Sequence, residues 1–483
     1  MPLEQAAIVE THISTLFFIG DRVFKLHKPV RFGFLDFRER KARRSDCERE
    51  VMLNRRLAPD VYLGVADVVL DGEPLDHMVV MRRLPDERRL TAIASRGEEF
   101  TGWLLAVAEA LVSFHRSAAR SPEISHAATA LALRSDWEAN FVETDRFVGG
   151  ILDDSDEVEI RRRALRWVDG RAGLLAARIA SGRICDGHGD LQADDIFCLD
   201  DGVRILDCIE FSDRLRHVDV CADGAFLAMD LERLGHPEAA DRFLLDYQEL
   251  ADDRFPEPLL HHYLAARAYV RAKVSCLRAD QGAPGAAAQA RQFQRIAREH
   301  LRRSQVTVVL VGGLPGSGKS TLASGLGDAR GWTVLRSDEI RHEARGLPGM
   351  RIAQDPAGRY GPDATDAVYG ELLHQAEQAL GQAESVILDA SWIDGRQRNA
   401  ARGMAARTSS ELVELCCEVP PEEADRRILR RLAAGSSVSE ATPDVREAMH
   451  QRMDPWESAT VIDTLPGEAA QAVAAALAAL AST

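Results

Sequence analysis

Apolar and polar positions along the first hundred residues fall into short alternating runs. Residues 15–30 read TLFFIGDRVFKLHKPV, two β-rich pieces joined at Gly20-Asp21 and closed by Pro29, which predicts a hairpin. Over residues 37–57 Arg and Glu are dense, and Cys47, Val51, Leu53 and Leu57 recur near helical intervals until Pro59, which predicts a helix. VYLGVADVVL and MVVMRRL, parted by Asp71-Gly72 and further polar residues, predict a second pair of strands. Helical spacing then dominates residues 102–180. IFCL and VRILDCI flank Asp200, Asp201 and Gly202 as a short hairpin, and helical patterns return over residues 220–278.

Gly282, Pro284, Gly285 and a group of alanines interrupt this pattern over residues 279–288. The expected organisation is a first domain at 1–285, a linker helix at 286–304 and a second domain at 305–483. The second opens on VTVVLVGG, a continuously apolar run of the kind found in strands covered on both faces. Runs at 332–335, 385–388, 412–417 and 460–462 alternate with helical stretches, the rhythm of a parallel α/β sheet. An alanine-rich tail, residues 467–480, predicts a closing helix.

Composition narrows the function. Among 483 residues, 60 Lys and Arg stand against 76 Asp and Glu, a net charge of -16, which argues against a general nucleic-acid or anionic-membrane binder. Eight cysteines without a CxxC pair form neither a disulfide scaffold nor a zinc site. The start lacks signal-peptide character and no apolar run is long enough to span a bilayer, so a cytoplasmic protein is expected.

Gly313-Leu-Pro-Gly316-Ser317-Gly318-Lys319-Ser320-Thr321 satisfies GxxxxGK[ST] and lies between a predicted strand and a predicted helix. There the glycines let backbone amides turn toward phosphate oxygens, Lys319 neutralises the β and γ phosphates, and Ser320 offers an oxygen to Mg2+. ATP or GTP with Mg2+ is the expected cofactor. Downstream, LRSDEIR places Asp338 beyond a short strand with Arg341 one helical turn later, a carboxylate and a cation suited to an acceptor hydroxyl. A helix-capping aspartate with a solvated arginine is the structural alternative. Asp389 ends an apolar strand where a carboxylate reaches magnesium, and DRRILRR crowds arginines on one helix, of which Arg427 and Arg430 are the candidates for a mobile lid.

A second constellation lies in the first half. His188-Gly-Asp190 continues through Asp195 to a strand ending in Asp207. Asp190 is placed to orient a hydroxyl, and Asp195 with Asp207 to converge on magnesium. The acidic residues around Asp190 would also attract a cationic acceptor such as an aminoglycoside or an amino sugar.

The C-terminal set resembles the gluconate-kinase, polynucleotide-kinase and zeta-toxin branch of phosphate-loop kinases. That resemblance implies acceptor roles for Asp338 and Arg341. The N-terminal set resembles the aminoglycoside-phosphotransferase and choline-kinase family, an α+β protein-kinase-like fold whose loop reads HGDxxxxN. Matched position by position, Asp190 falls on the catalytic base and Asp207 on the metal aspartate, while Asp195 replaces the family's asparagine. Lys25 matches the strand lysine that pairs with nucleotide phosphates and Glu50 its carboxylate partner, with Lys28 and Glu48 as neighbouring alternatives. No glycine-rich loop precedes Lys25. ETHIS, LNRRLAPDVYLGV, HGDLQ, DCIEF and GGLPGSGKS also resemble bacterial fusions of such a domain with an AAA-type or zeta-toxin-like α/β P-loop domain. The expectation is an ATP-dependent phosphotransferase acting on a small-molecule hydroxyl. The alternative is a nucleotide-sensing regulator or a toxin-type effector with an inactive N-terminal domain.

Overall fold

The computed structural model describes residues 7–10, 13–32, 35–343, 361–434, 441–465, 467 and 469–481. The chain divides into two compact units, one of residues 1–161 and 175–301, the other of residues 162–174 and 302–483.

In the first unit β1 (Ala7–Glu10), β2 (Ser14–Ile19), β3 (Arg22–His27), β6 (Tyr62–Leu70) and β7 (Glu73–Arg82) form an antiparallel sheet ordered β1-β2-β3-β7-β6. A short antiparallel pair, β4 (Arg31–Phe32) and β5 (Leu35–Asp36), precedes the helix Arg40–Asn54. Asp71 and Gly72 both take positive φ, 52° and 88°, as the tight turn between β6 and β7 requires of its two central residues. The helix covers one face of the sheet, burying Cys47 and Val51 among Val23, Val61, Tyr62, Val79 and Met81. This apolar contact fixes the register of β3 against β7, Lys25 opposite Val79.

The rest of the unit is helical, apart from β8 (Ile184–Asp186), which pairs with β11 (His217–Asp219), and the hairpin of β9 (Ile196–Leu199) with β10 (Gly202–Ile205). Residues 187–195 link β8 to β9, and Asp207 follows β10. The stretch FLAMDL lies in the helix Val220–Arg233, buried along most of its length. The helix Ala286–Arg303 lies with this unit through Leu301, burying Ala290 against Phe147, Leu152 and Cys276.

In the second unit all five strands are parallel, in the order β13 (Thr333–Arg336), β14 (Val386–Asp389), β12 (Thr307–Gly312), β15 (Glu411–Glu418), β16 (Thr460–Asp463). β12 is buried from Val308 to Gly312, the reason its sequence is apolar throughout. The closing helix Ala469–Ala481 buries Ala472 and Ala476 in the sheet core. Its Val473 lies so near Gly325 that any side chain at 325 would strike it. Chain order reverses beside β12, and a ligand crevice forms at the carboxyl ends of strands around such a point. Among the described residues no helix is long and apolar enough to cross a membrane.

Candidate active sites

In the second unit the ends of three strands come side by side. Val311 pairs with Asp389 across β12 and β14, and Asp389 with Arg336 across β14 and β13. The loop leaving β12 turns at Gly313, Gly316 and Gly318, with φ of 137°, 82° and 89°. A side chain at Gly316 would also run into the Ala424 carbonyl, so both conformation and space demand glycine. The helix Lys319–Arg330 begins directly after Gly318; Ser320 and Thr321 are exposed, and Lys319 is half-buried. Ser317 is buried with an Oγ that has no hydrogen-bond partner among the described residues.

Asp389 is buried, and its Oδ1 likewise has no partner among them. Burial pushes its pKa up and the nearby Asp338 adds to this, while Lys319 and a hydrogen bond from Ser320 oppose it. Lys319, Ser320 and Asp338 therefore all act on Asp389. Arg336, which has no motif to single it out, reaches the same carboxylate, Nε 3.7 Å from Asp389 Oδ2, and donates to Ser324 Oγ at 2.8 Å. Arg341 is half-buried and its charge acts on Tyr369, whose hydroxyl bonds with Ser391 Oγ at 3.1 Å. A buried carboxylate oxygen without a donor, beside a serine hydroxyl, suits a hard divalent cation.

The two arginines expected in a lid differ. Arg427 gives its guanidinium to the loop's own frame: NH2 to the Thr464 carbonyl at 2.6 Å, NH1 to the Gly316 carbonyl at 3.4 Å and Nε to Glu423 Oε1 at 3.0 Å. Thr464 in turn donates to the Ser317 carbonyl. Arg430 is exposed. A second support is Trp456, whose ring lies under Gly312, with the Arg398 guanidinium stacked 5.1 Å from the ring centre. Neither contact has a signal in local spacing, because each joins residues far apart in the chain.

In the first unit Lys25 Nζ lies 2.9 Å from Glu50 Oε1 and 3.4 Å from Asp207 Oδ1. The neighbouring candidates are spent elsewhere, Lys28 on Glu10 and Glu48 on Arg44, each at 2.9 Å. Burial disfavours the Lys25 charge, but Glu50, Asp207 and Glu210 outweigh it and hold the pKa above the ordinary lysine value. Burial pushes the Glu50 carboxyl up and Lys25 opposes it. Asp207 takes a left-handed φ of 62°, uncommon for a residue with a side chain. Its amide donates to the Tyr62 hydroxyl at 3.3 Å, and the next amide, Cys208, to Asn54 Oδ1 at 2.8 Å. Tyr62 and Asn54 thus hold the backbone conformation that aims Asp207 at Lys25. The stretch ahead of β2, in which the sequence shows no glycine-rich loop, includes Thr11 and His12, which lie outside the described residues.

The loop carrying Asp190 is anchored from behind by Asp223, which no motif singles out. Asp223 is fully buried and accepts the amides of His188 at 2.6 Å and Gly189 at 2.9 Å, and His115 Nε2 lies 3.1 Å from it. Burial alone would raise its carboxyl; His115, His188 and the bond from the His188 amide hold it well below the ordinary range. Asp190 is pushed up to about 6, chiefly by burial, with Arg271 opposing and Asp207 adding. Asp195 is pushed well above the carboxylate range by burial, then by Asp207 and Asp190. The three carboxylates therefore share one neighbourhood, and a divalent cation would relieve the repulsion. Among the described residues no three His, Cys, Asp or Glu side chains close into a group able to hold a metal. Of the carboxylates that follow Asp207, Glu210 acts on Lys25, Asp213 pairs with Arg216 and Asp219 with Arg178.

Strand order, loop and strand-end carboxylate make the second unit an α/β P-loop domain. The five-stranded antiparallel sheet with its Lys25–Glu50 pair and helical remainder makes the first an α+β domain. An AAA domain family matches residues 308–456. Two curated relatives, the uncharacterized proteins Rv2004c of Mycobacterium tuberculosis and Mb2027c of Mycobacterium bovis, are each 40% identical over 462 residues, covering 94% of this chain and 91% of the relative. The chain belongs to the family of these mycobacterial proteins. Among solved structures, a sugar kinase from Janibacter is 20% identical over 37% of this chain and 95% of its own, with a TM-score of 0.28. A choline/ethanolamine kinase family protein from Mesorhizobium loti is 14% identical over 62% of this chain and 92% of its own, with a TM-score of 0.37.

Proposed function

We propose that this protein is an ATP-dependent phosphotransferase of the cytoplasm that acts on the hydroxyl of a small molecule. Its principal centre, within residues 305–483, is of the gluconate-kinase and zeta-toxin kind. The observation that carries the reading is the convergence of Lys319, Ser320 and Asp338 on Asp389, whose Oδ1 has no partner among the described residues. Loop amides from Gly313 to Thr321 and Lys319 hold the triphosphate of ATP or GTP. Ser320 and Asp389 would hold Mg2+, which neutralises charge on the transferring group. Asp338 orients the acceptor hydroxyl and takes its proton, and Arg341 holds an anionic part of the acceptor. Within residues 1–285 a second centre has the same logic, with Lys25, held by Glu50, on the phosphates, Asp195 and Asp207 for Mg2+, and Asp190 as base.

Asp338→Asn tests the principal centre. Phosphate transfer to a metabolite mixture should fall by about a hundredfold or more, the weight of a general base, while calorimetric nucleotide affinity stays unchanged. Normal transfer by that variant would refute the acceptor assignment. A second reading, a nucleotide-sensing regulator with a silent N-terminal centre, draws on Asp195, a carboxylate whose buried charge is disfavoured where the resembling family has a neutral amide.

A further inference from the structure

The second centre has two electrically opposite sides. Toward Lys25 lies Asp207, whose charge acts on Asp195. On the other side the helix Glu257–Asp280 presents Arg267 and Arg271, four residues apart and so on one face. Arg271 NH1 is 3.7 Å from Asp190 Oδ2, beyond hydrogen-bond range, and its buried Nε has no hydrogen-bond partner among the described residues. Arg267 donates through Nε to the Ala222 carbonyl at 3.3 Å and stacks 5.2 Å from the Phe226 ring centre, which fixes its guanidinium beside the loop. Its charge acts on Asp190 and Asp223. Asp223 is already satisfied by His115 and two loop amides, so two guanidinium groups face one remaining carboxylate, Asp190. Both Asp190 contacts, from Gln192 at 3.0 Å and Arg271, fall on Oδ2.

We infer that the acceptor of this centre is an anion, a hydroxylated metabolite bearing a carboxylate or phosphate that Arg267 and Arg271 bind while Asp190 faces its hydroxyl. The inference rests on Asp190 being the base of a phosphotransfer centre. In the reaction the acceptor O–H proton passes to Asp190, the new O–P bond forms to the γ-phosphorus, and the bond from that phosphorus to the β–γ bridging oxygen breaks, releasing ADP. A polycationic acceptor, which the acidic residues in the sequence suggested, would meet two fixed positive charges instead. Planar guanidinium forks suit carboxylate and phosphate oxygens, and a half-buried position strengthens the attraction.

The test uses the full chain, γ-labelled ATP and a bacterial metabolite extract divided by ion exchange into anionic, neutral and cationic pools. Label that appears with the wild type and is lost in Asp190→Asn reports this centre alone. Such label in the anionic pool is the expected result. The same label in the neutral or cationic pool would overturn the inference and leave the phosphotransfer reading standing. Its absence from every pool would instead overturn the role of Asp190, and the inference with it. With the labelled anionic pool as substrate, Arg271→Gln should raise the apparent KM about tenfold to a hundredfold with kcat little changed, and Arg271→Lys should restore part of the loss. A fall in kcat at constant KM would assign the arginines to the transferring phosphoryl group and also overturn the inference.

Discussion

Lys25→Met is the sharpest probe of the first unit. Glu50 is fully buried and Lys25 nearly so, with their charged atoms 2.9 Å apart. Removing the lysine leaves a carboxylate in the interior with no cation, a defect that costs about 3–5 kcal/mol. The Asp207 contact, at 3.4 Å to a half-exposed side chain, adds at most about 1 kcal/mol. Lys28→Met removes a pair of the same 2.9 Å length, but Glu10 is exposed, so its expected cost is about 0–1 kcal/mol. The deficit should also depend on pH. The Glu50 pKa is already raised in the folded state and rises further without Lys25. A raised carboxylate costs nothing below its unfolded value and progressively more as pH climbs through the folded value, about 1.4 kcal/mol for each tenfold gain in proton affinity. Lys25→Met should therefore be least harmful near pH 5 and most harmful near pH 8, and Glu50→Gln in the same chain should recover much of the loss. Hydrogen exchange of the amides in the helix Arg40–Asn54 reads this locally. Equal effects of the Lys25 and Lys28 variants, or a deficit that is flat with pH, would refute the reasoning.

Arg427→Ala should weaken nucleotide binding by about tenfold to a hundredfold, because two loop-framing carbonyls lose a charged donor, and should lower the melting point of the second unit. Arg430→Ala should leave both within about 0.5 kcal/mol, as for other exposed positions. If Arg427→Ala instead slowed turnover at unchanged affinity and stability, the residue would be a lid and not a brace. At the second centre, with Lys319→Ala silencing the P-loop, calorimetric Mg2+-nucleotide affinity should rise with pH, since binding must displace the proton that Asp195 retains. Asp195→Asn should flatten that slope; an unchanged slope would place the metal elsewhere.

Most strands and the phosphate loop are legible in the amino-acid pattern. Periodicity of two, glycine at hairpin turns and an unbroken apolar run are local signatures, and they locate β2, β3, β6 and β12 closely, whereas β7 starts at Glu73, ahead of its apolar run at Met78, because its first residues are mostly polar. Three-residue strands such as β8 and β11 carry too few positions for a period to register, and the exposed edge strand β1 has no buried face to create one. The site divides in the same way. Loop residues 313–321 and the HGD sequence announce themselves because their chemistry needs fixed spacing along the chain.

What holds those motifs in place has no spacing at all. Sequence alone determined which residue types carry charge and where the glycine-rich and HGD motifs fall, and hence two candidate centres. It left open whether Lys25 or Lys28, and Glu50 or Glu48, form the ion pair, since neighbours differ by less than a helical turn or one strand face. Only the packing of the helix Arg40–Asn54 on β3 and β7 decided it, by burying one pair and leaving the others in water. The placement of Asp223 behind the HGD loop, of Arg427 under the phosphate loop and of two arginines beside Asp190 is likewise tertiary. Each interaction links residues tens to more than a hundred positions apart, and electrostatic energy depends on distance through space and on burial, neither of which is encoded in local order along the chain.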